Sequence, residues 1–204
     1  GNIENRIKII RDQSIGNQYW NTTQVASTSS YNNWTGATLM KYLNATYYNS
    51  LTNDNSIDMV DDVKYYLGGY NGSLIVEKDI AYQNERKISG SSYYYGSNPN
   101  SWVGKIGLMY ASDYGYAVSD ECTQNLYNYG DATCKNNNWL YSSDLWFITR
   151  YNLSFTNVYY LGNDGSLILG NINDVRFVRP TFYLKKSTKI VSGDGTRSNP
   201  YQIG

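Results

Sequence analysis

Residues 146–184 read WFITRYNLSFTNVYYLGNDGSLILGNINDVRFVRPTFYL. Three apolar runs with strand character are separated by loops rich in Tyr, Asn, Ser and Arg. Asn163-Asp164-Gly165 divides Val158 to Leu161 from Leu167 to Leu169, a strong hairpin signal because this turn chemistry supplies the positive φ that a tight reversal needs. Pro180 falls inside a strand pattern and is expected at an edge or bulge, since it has no N–H to give to a ladder. Loops of this composition suit recognition. Tyr offers a large rigid contact at low entropic cost, and Asn and Ser adapt their hydrogen bonds.

Upstream, Arg6 to Asp12 alternates and predicts a first strand. A Ser/Thr/Asn-rich loop from Asn21 to Asn33 follows. Thr35 is then expected to cap a helix with the stripe Leu39, Leu43, Tyr47 and Leu51. A second helix is predicted from Ser56, carrying Ile57, Val60, Val63 and Leu67 and ending at Gly68-Gly69 as a C-terminal cap. Both stripes read as core. Leu74-Ile75-Val76, Lys105 to Tyr110 and Leu145 to Ile148 are short runs bounded by turn residues and predict strands. The last stretch, KIVSGDGTRSNPYQI, reads as a hairpin turning at Gly193-Asp194-Gly195. No repeat or linker divides residues 1–204. A single α+β domain, two early helices followed by an antiparallel sheet, accounts for the pattern.

Charge excludes several classes. Lys+Arg and Asp+Glu are equal at 17 each, and nucleic acid or an anionic membrane surface would call for clustered positive charge. No apolar run is long enough to span a bilayer. No signal peptide opens the chain, and a leader is expected to have been lost ahead of Gly1-Asn2. The aromatic load is 23 Tyr against 5 Trp and 4 Phe, and Asn is often doubled, as at Asn32-Asn33. A sticky neutral exterior and an AT-rich genome explain this equally well.

Cys122 and Cys134 lie in a polar, loop-like segment. Two thiols closing a short loop read as a disulfide, which points to an exported protein. A ring of this size is worth about 3 kcal/mol. A zinc site is the rival, but two ligands with no His or further Cys do not complete one.

Several segments resemble a known family. IKIIRDQSIG, WTGATLMKYLNATYYNSL, VKYYLGG, WVGKIGLMYASDYGYA, the Cys122 and Cys134 pair, NNNWL, LWFIT, VRPTFYLKKSTKI and SGDGTRSNPY are similar to the ectodomains of Firmicutes pilin-like and surface proteins. Those domains belong to the C-type-lectin-like fold, in the branch shared with the formylglycine-generating enzyme and with the variable proteins of diversity-generating retroelements. The resemblance covers nearly the whole chain. It implies short antiparallel sheets with two packed helices, N- and C-terminal strands close together, and an ectodomain that follows an N-terminal anchor. It also implies display on a bacterial cell surface or pilus. The chain departs from the family pattern at Arg150, where Pro follows W-x-x-T, and at Phe177, where Gly precedes V-R-P. Arg150 to Phe155 and Asn171 to Phe177 are compatible with adenine-directed retroelement mutagenesis.

Enzymatic chemistry finds little footing. Without His there is no Ser-His-Asp triad and no Cys-His pair. An oxidase of the formylglycine type would need redox cysteines placed later than Cys122 and Cys134. Glu77, Glu85, Asp113, Glu121 and Asp144 could serve a glycosidase, but none stands out, and Glu85-Arg86 reads as a structural ion pair or solvated turn. Asn53-Asp54-Asn55 and Asp194 are the calcium candidates, without the spacing of a calcium loop; such residues are more often turn formers.

The reading is a non-enzymatic recognition domain without a required cofactor. Its ligand is expected to be a protein or glycan on another cell, host or phage surface. The expected binding face comprises Arg150, Tyr151, Asn152, Leu153, Ser154, Phe155, Asn157, Tyr159, Asn171, Asn173, Asp174 and Arg176. Strand alternation would send one residue in two of these into the core. The rivals are a fixed pilus or surface subunit, contacting other pilus subunits, and a carbohydrate-binding adhesin.

Overall fold

A computed structural model describes residues 6–22, 31–51, 55–70, 77–88, 98–196 and 198–204. The architecture is α+β, with several small sheets and few helices. Its centre is a five-stranded sheet in the order β2 (Asn17–Tyr19), β9 (Val175–Phe177), β6 (Leu145–Arg150), β7 (Asn157–Leu161), β8 (Leu167–Asn171). All its pairings are antiparallel except β6 with β9.

β6 explains why the chain folds around this sheet. Every residue of LWFITR is buried, and side chains alternate between the two faces of a strand. Trp146 and Ile148 enter one core with Trp20, Trp34, Leu39, Leu43 and Tyr65. Leu145 and Phe147 enter a second core with Met109, Tyr114, Leu126, Tyr159 and Leu167. A strand apolar on both faces needs cover on both, and the two cores supply it.

The first core takes the expected early helix. α1 (Thr38–Tyr42) continues through a π-turn, Leu43–Tyr47, into α2 (Tyr48–Ser50). Leu39, Leu43 and Tyr47 are buried as the stripe predicts. The cap differs from expectation. Asn33 caps a 3-10 turn at Trp34–Gly36, and the Thr38 amide and hydroxyl donate to Oδ1 of Asn21.

The second expected helix is not formed. Asn55–Met59 is one 3-10 segment, after which β3 (Val63–Tyr66) pairs antiparallel with β4 (Ser101–Gly104). Val63 and Tyr65 are buried while Lys64 is exposed, so period two prevails over the helical spacing. Gly68-Gly69 is therefore no helix cap. A Cβ on Gly68 would lie 2.8 Å from the main-chain oxygens of Glu85 and Lys87, so the chain passes too close to α3 (Lys78–Glu85) for any side chain. Gly69 has φ +66.

α4 (Ala111–Tyr116) and α5 (Ala132–Lys135) line the second core. Lys105 to Tyr110 forms a ladder only at β5 (Ile106–Gly107). β5 and β1 (Lys8–Ile10) flank β10 (Thr181–Tyr183), which brings the opening strand beside a late one. The 163–165 turn and the terminal hairpin, β11 (Ile190–Ser192) with β12 (Gln202–Ile203), form where the sequence places them. Gly165, Gly193 and Gly195 all have positive φ. Pro180 is buried between β9 and β10, and its carbonyl accepts the Arg11 amide at 3.0 Å. Cys122 and Cys134 are disulfide-bonded, with Cα atoms 4.7 Å apart. Among the described residues no helix is long and apolar enough to cross a membrane. The expected strand at Leu74-Ile75-Val76 and the calcium candidates Asn53 and Asp54 lie outside the described residues.

Candidate functional site

The C-terminal ends of β6 and β8 and the N-terminal end of β7 share one end of the central sheet. The loops leaving that end, 151–156 and 172–174, are the two stretches marked in the sequence as a binding face. They touch through the Ile172 amide, which donates to the Thr156 carbonyl at 2.8 Å.

Asn32 organises the larger loop. Its Nδ2 lies 2.9, 3.0 and 2.8 Å from the main-chain oxygens of Tyr151, Ser154 and Asn157. Its own amide donates to the Phe155 carbonyl at 2.9 Å. An amide NH2 has two hydrogens, so three carbonyls share them in a three-centre arrangement. Asn32 is buried, so water competes little for these bonds. Asn21 repeats the device beside it, donating through Nδ2 to the Tyr31 carbonyl and through its amide to the Ile172 carbonyl.

A second bracket holds the strand exit. The Tyr70 amide donates to the Arg150 carbonyl at 3.0 Å, and the Asn152 amide donates to the Tyr70 carbonyl at 2.8 Å. Nδ2 of Asn152 donates to the Gly68 carbonyl at 2.7 Å. Within the loop, Ser154 Oγ donates to Asn157 Oδ1 and accepts from the Thr156 amide. The backbone is thus fixed at both ends and across its middle.

This frame sorts the expected residues. Leu153, 62 % exposed, and Phe155, 36 % exposed, stand outward at the loop tip, and Asn171 is exposed beside them. Tyr151, Ser154, Asn157, Asn173 and Asp174 are half-buried. Arg150, Asn152 and Tyr159 are buried, which corrects their assignment to an open face. The stem of Arg150 packs against Gly69, where an added Cβ would lie 2.6 Å from its Cγ. Asn152 bonds inward to Gly68, and Tyr159 packs edge to face with Tyr151 and near Tyr70 at the second core.

Arg176 is half-buried and bound. Its guanidinium lies 3.4 Å from the Tyr160 ring centroid and 5.1 Å from that of Trp146. It also pairs with Asp174 at 2.9 Å and with Asp144. Gly170 leaves room for this stack, since a Cβ there would meet the Tyr160 ring at 2.8 Å. Arg176 and Asp174 therefore hold each other, and the outward surface is uncharged at its tip.

The sequence gives little hint of the groups that build the loop. Asn32 stands out only as half of a doublet and Gly68 only as part of the expected helix end, and nothing in the sequence marks Tyr70. A further cluster lies behind the bracket. Glu85 is 1 % exposed, so the solvated turn is not formed, whereas the structural ion pair is, with Arg86 Nη1 3.4 Å from Oε2. Ser112 Oγ and Thr149 Oγ1 donate to its carboxylate at 2.5 and 2.7 Å, and the Ser112 amide at 3.2 Å. Burial nevertheless pushes its pKa up to about 7, against those donors and the Arg86 guanidinium.

Asp194 spends its carboxylate on the Thr196 amide, as a turn former does. Among the described residues no three His, Cys, Asp or Glu side chains are grouped to hold a metal ion. Comparison of the chain with protein-family models, with curated proteins and with solved structures finds no match in any of the three.

Proposed function

We propose that this chain is a non-enzymatic recognition domain of C-type-lectin-like fold, displayed outside a bacterial cell. It takes a protein or glycan ligand on the loops at the end of the central sheet. One observation carries this reading. Asn32 pins three carbonyls of the 151–157 loop, so Leu153 and Phe155 are presented on a backbone that is already ordered. Pre-ordering removes an entropic cost from binding, and exposed apolar anchors ringed by amides are what an interface centre uses. The Cys122–Cys134 disulfide is compatible with an extracellular protein. The opening strand β1 pairs with the late strand β10, while the last two strands, β11 and β12, pair with each other.

If retroelement diversification acts on this domain, the frame predicts where it is tolerated. Substitutions at Tyr151, Leu153, Ser154, Phe155 and Asn171 leave the pinned carbonyls in place. Arg150, Asn152 and Tyr159 are committed to the interior.

The test is a binding screen of the labelled domain on glycan arrays and intact bacterial cells, with the Leu153→Ser/Phe155→Ser variant alongside. The expected result is at least tenfold weaker binding of the variant with its thermal midpoint unchanged. Equal binding by the variant, or none by the native protein on any surface, overturns the reading.

A fixed surface subunit is the second reading, favoured by a separate feature. Tyr19, Val175 and Phe177 are exposed together on the β2–β9 ribbon. Concentration-dependent self-association in sedimentation, lost in Val175→Ser/Phe177→Ser, would select it.

A further inference from the structure

The bracket that holds the binding loop runs through the helix that buries Glu85. The Gly68 amide donates to the main-chain oxygen of Glu85 at 2.8 Å, and the Gly68 carbonyl accepts Nδ2 of Asn152. On its other side, the Glu85 carboxylate takes the hydroxyl of Thr149. Thr149 lies one residue before Arg150, whose carbonyl receives the Tyr70 amide. One residue therefore touches the strand that leads into the loop by its carboxylate and the segment that secures the loop's far side by its main-chain oxygen.

We propose that Glu85 is a proton-binding site coupled to the 151–157 loop, so that protonation of this carboxylate changes how firmly the loop is held. The hydrogen-bond count gives the mechanism. Ionised, Glu85 only accepts, and the Ser112 hydroxyl, the Ser112 amide and the Thr149 hydroxyl all donate to it. Bonds to an ionised acceptor are stronger than neutral ones. A proton turns one oxygen into a donor that needs an acceptor in a site sealed from water. Oε1 already takes the Thr149 hydroxyl and the Ser112 amide, so the proton falls on Oε2, and Ser112 Oγ, 2.5 Å away, turns and accepts it. Thr149 is then left on a weaker, neutral bond, and the strand exit loosens.

The surrounding charges leave this switch near its balance point. Arg86, on Glu85's own helix end, lies 3.4 Å from Oε2 and stacks on Tyr82. From α4, Asp113 opposes it as a like charge but is bound by Lys8 of β1. Tyr110, at the α4 cap, carries Lys8 and Arg86 over its ring at 4.8 and 5.0 Å. From β6 the next charged group is Arg150, packed against Gly69. Desolvation outweighs the donors and places the midpoint at about 7.

The consequence for affinity rests on the recognition role proposed above. The coupling is measured on the unliganded domain and holds or fails separately. The experiment is an NMR titration from pH 4.5 to 8.5 of protein with carbon-labelled Glu carboxyls and nitrogen-labelled amides. The Glu85 carboxyl is expected to titrate well above the ordinary Glu range. The amides of 68–70 and 149–152 and the Asn152 side chain should shift with the same midpoint. Glu85→Gln should flatten those shifts. Ser112→Ala, which keeps the carboxyl and removes one donor to it, should raise both midpoints together. An ordinary Glu85 midpoint, a silent loop beside a titrating Glu85, or loop shifts that persist in Glu85→Gln each overturns the proposal.

Discussion

Nδ2 of Asn32 lies 2.8 Å from the main-chain oxygen of Asn157, a residue 125 positions further along the chain. The same nitrogen serves Tyr151 and Ser154. Truncation to Ala would leave three inward-facing carbonyls without their donor. A buried polar group left unsatisfied costs roughly 1–3 kcal/mol, and water can repair part of the loss. Asn32→Ala is expected to cost about 3 kcal/mol, or about 6–12 °C in thermal midpoint for a chain of this size. Asn32→Asp should do no better, because a carboxylate brings acceptors to acceptors. Urea unfolding measures the loss, and faster amide exchange across 151–157 locates it. A stability loss without faster exchange there would dissociate Asn32 from the loop.

Glu85 makes stability depend on pH in an unusual direction for a carboxylate. Its folded-state pKa is raised, from 4.5 to about 7, by burial. The folded state therefore binds the proton more tightly than the unfolded state. The contribution is fully present below pH 4.5, declines as pH rises through about 7, and is absent above it. The shift corresponds to on the order of 3 kcal/mol at most. Denaturation series at intervals between pH 4.5 and 8 should show this decline in the native protein and a flatter profile in Glu85→Gln. A profile identical in the two proteins would remove Glu85 as its source.

Glycines at two positions separate crowding from backbone strain. Gly68 faces main-chain oxygens of Glu85 and Lys87 at 2.8 Å from an added Cβ, at the end of α3 and two residues beyond it, where main-chain atoms cannot rotate aside. Gly16 has φ +100 with nothing within 4 Å of the same added atom. Gly16→Ala should cost only the left-handed strain, about 1–2 kcal/mol. Gly68→Ala should cost more than that and displace α3, with chemical-shift changes reaching Glu85 and Asn152. Equal costs for the two would mean that the approach of 68 to α3 is loose.

What the sequence could reveal divides along physical lines. The 163–165 turn, the terminal hairpin and the doubly buried β6 depend on local turn chemistry and on an apolar run, and both are legible in order. Val63 and Leu67 carry helical spacing by coincidence with Val60, whereas pairing with β4, set by residues 101–104, selects the strand. α3 has only Ile80, Ala81 and Tyr82 for an apolar signal, and it buries Ala81, Asn84 and Glu85. Its contacts, not its own composition, create it. Glu85 beside Arg86 reads as no more than an ion pair or a solvated turn because the residues that bury it, Ser112 and Thr149, are 27 and 64 positions away. The two loops marked in the sequence, 151–156 and 172–174, leave the same sheet end. Which of them face outward was set by Asn32 and Tyr70, and no periodicity in 150–157 encodes that.

Arg176 tests the division between frame and surface. Its guanidinium stacks on Tyr160 while bonding Asp174 and Asp144. A planar fork can do both at once, and an ammonium cannot. Arg176→Lys keeps the charge but gives up the stack and one of the two carboxylates. The expected loss is about 1–2 kcal/mol in urea unfolding, with binding at Leu153 and Phe155 altered no more than twofold. Were Arg176 a donor to the ligand, the opposite pattern would follow: stability nearly unchanged and binding lost. The pairing with Asp174 argues for the first outcome, because a ligand would have to displace an ion pair already made on a stacked, half-buried ring.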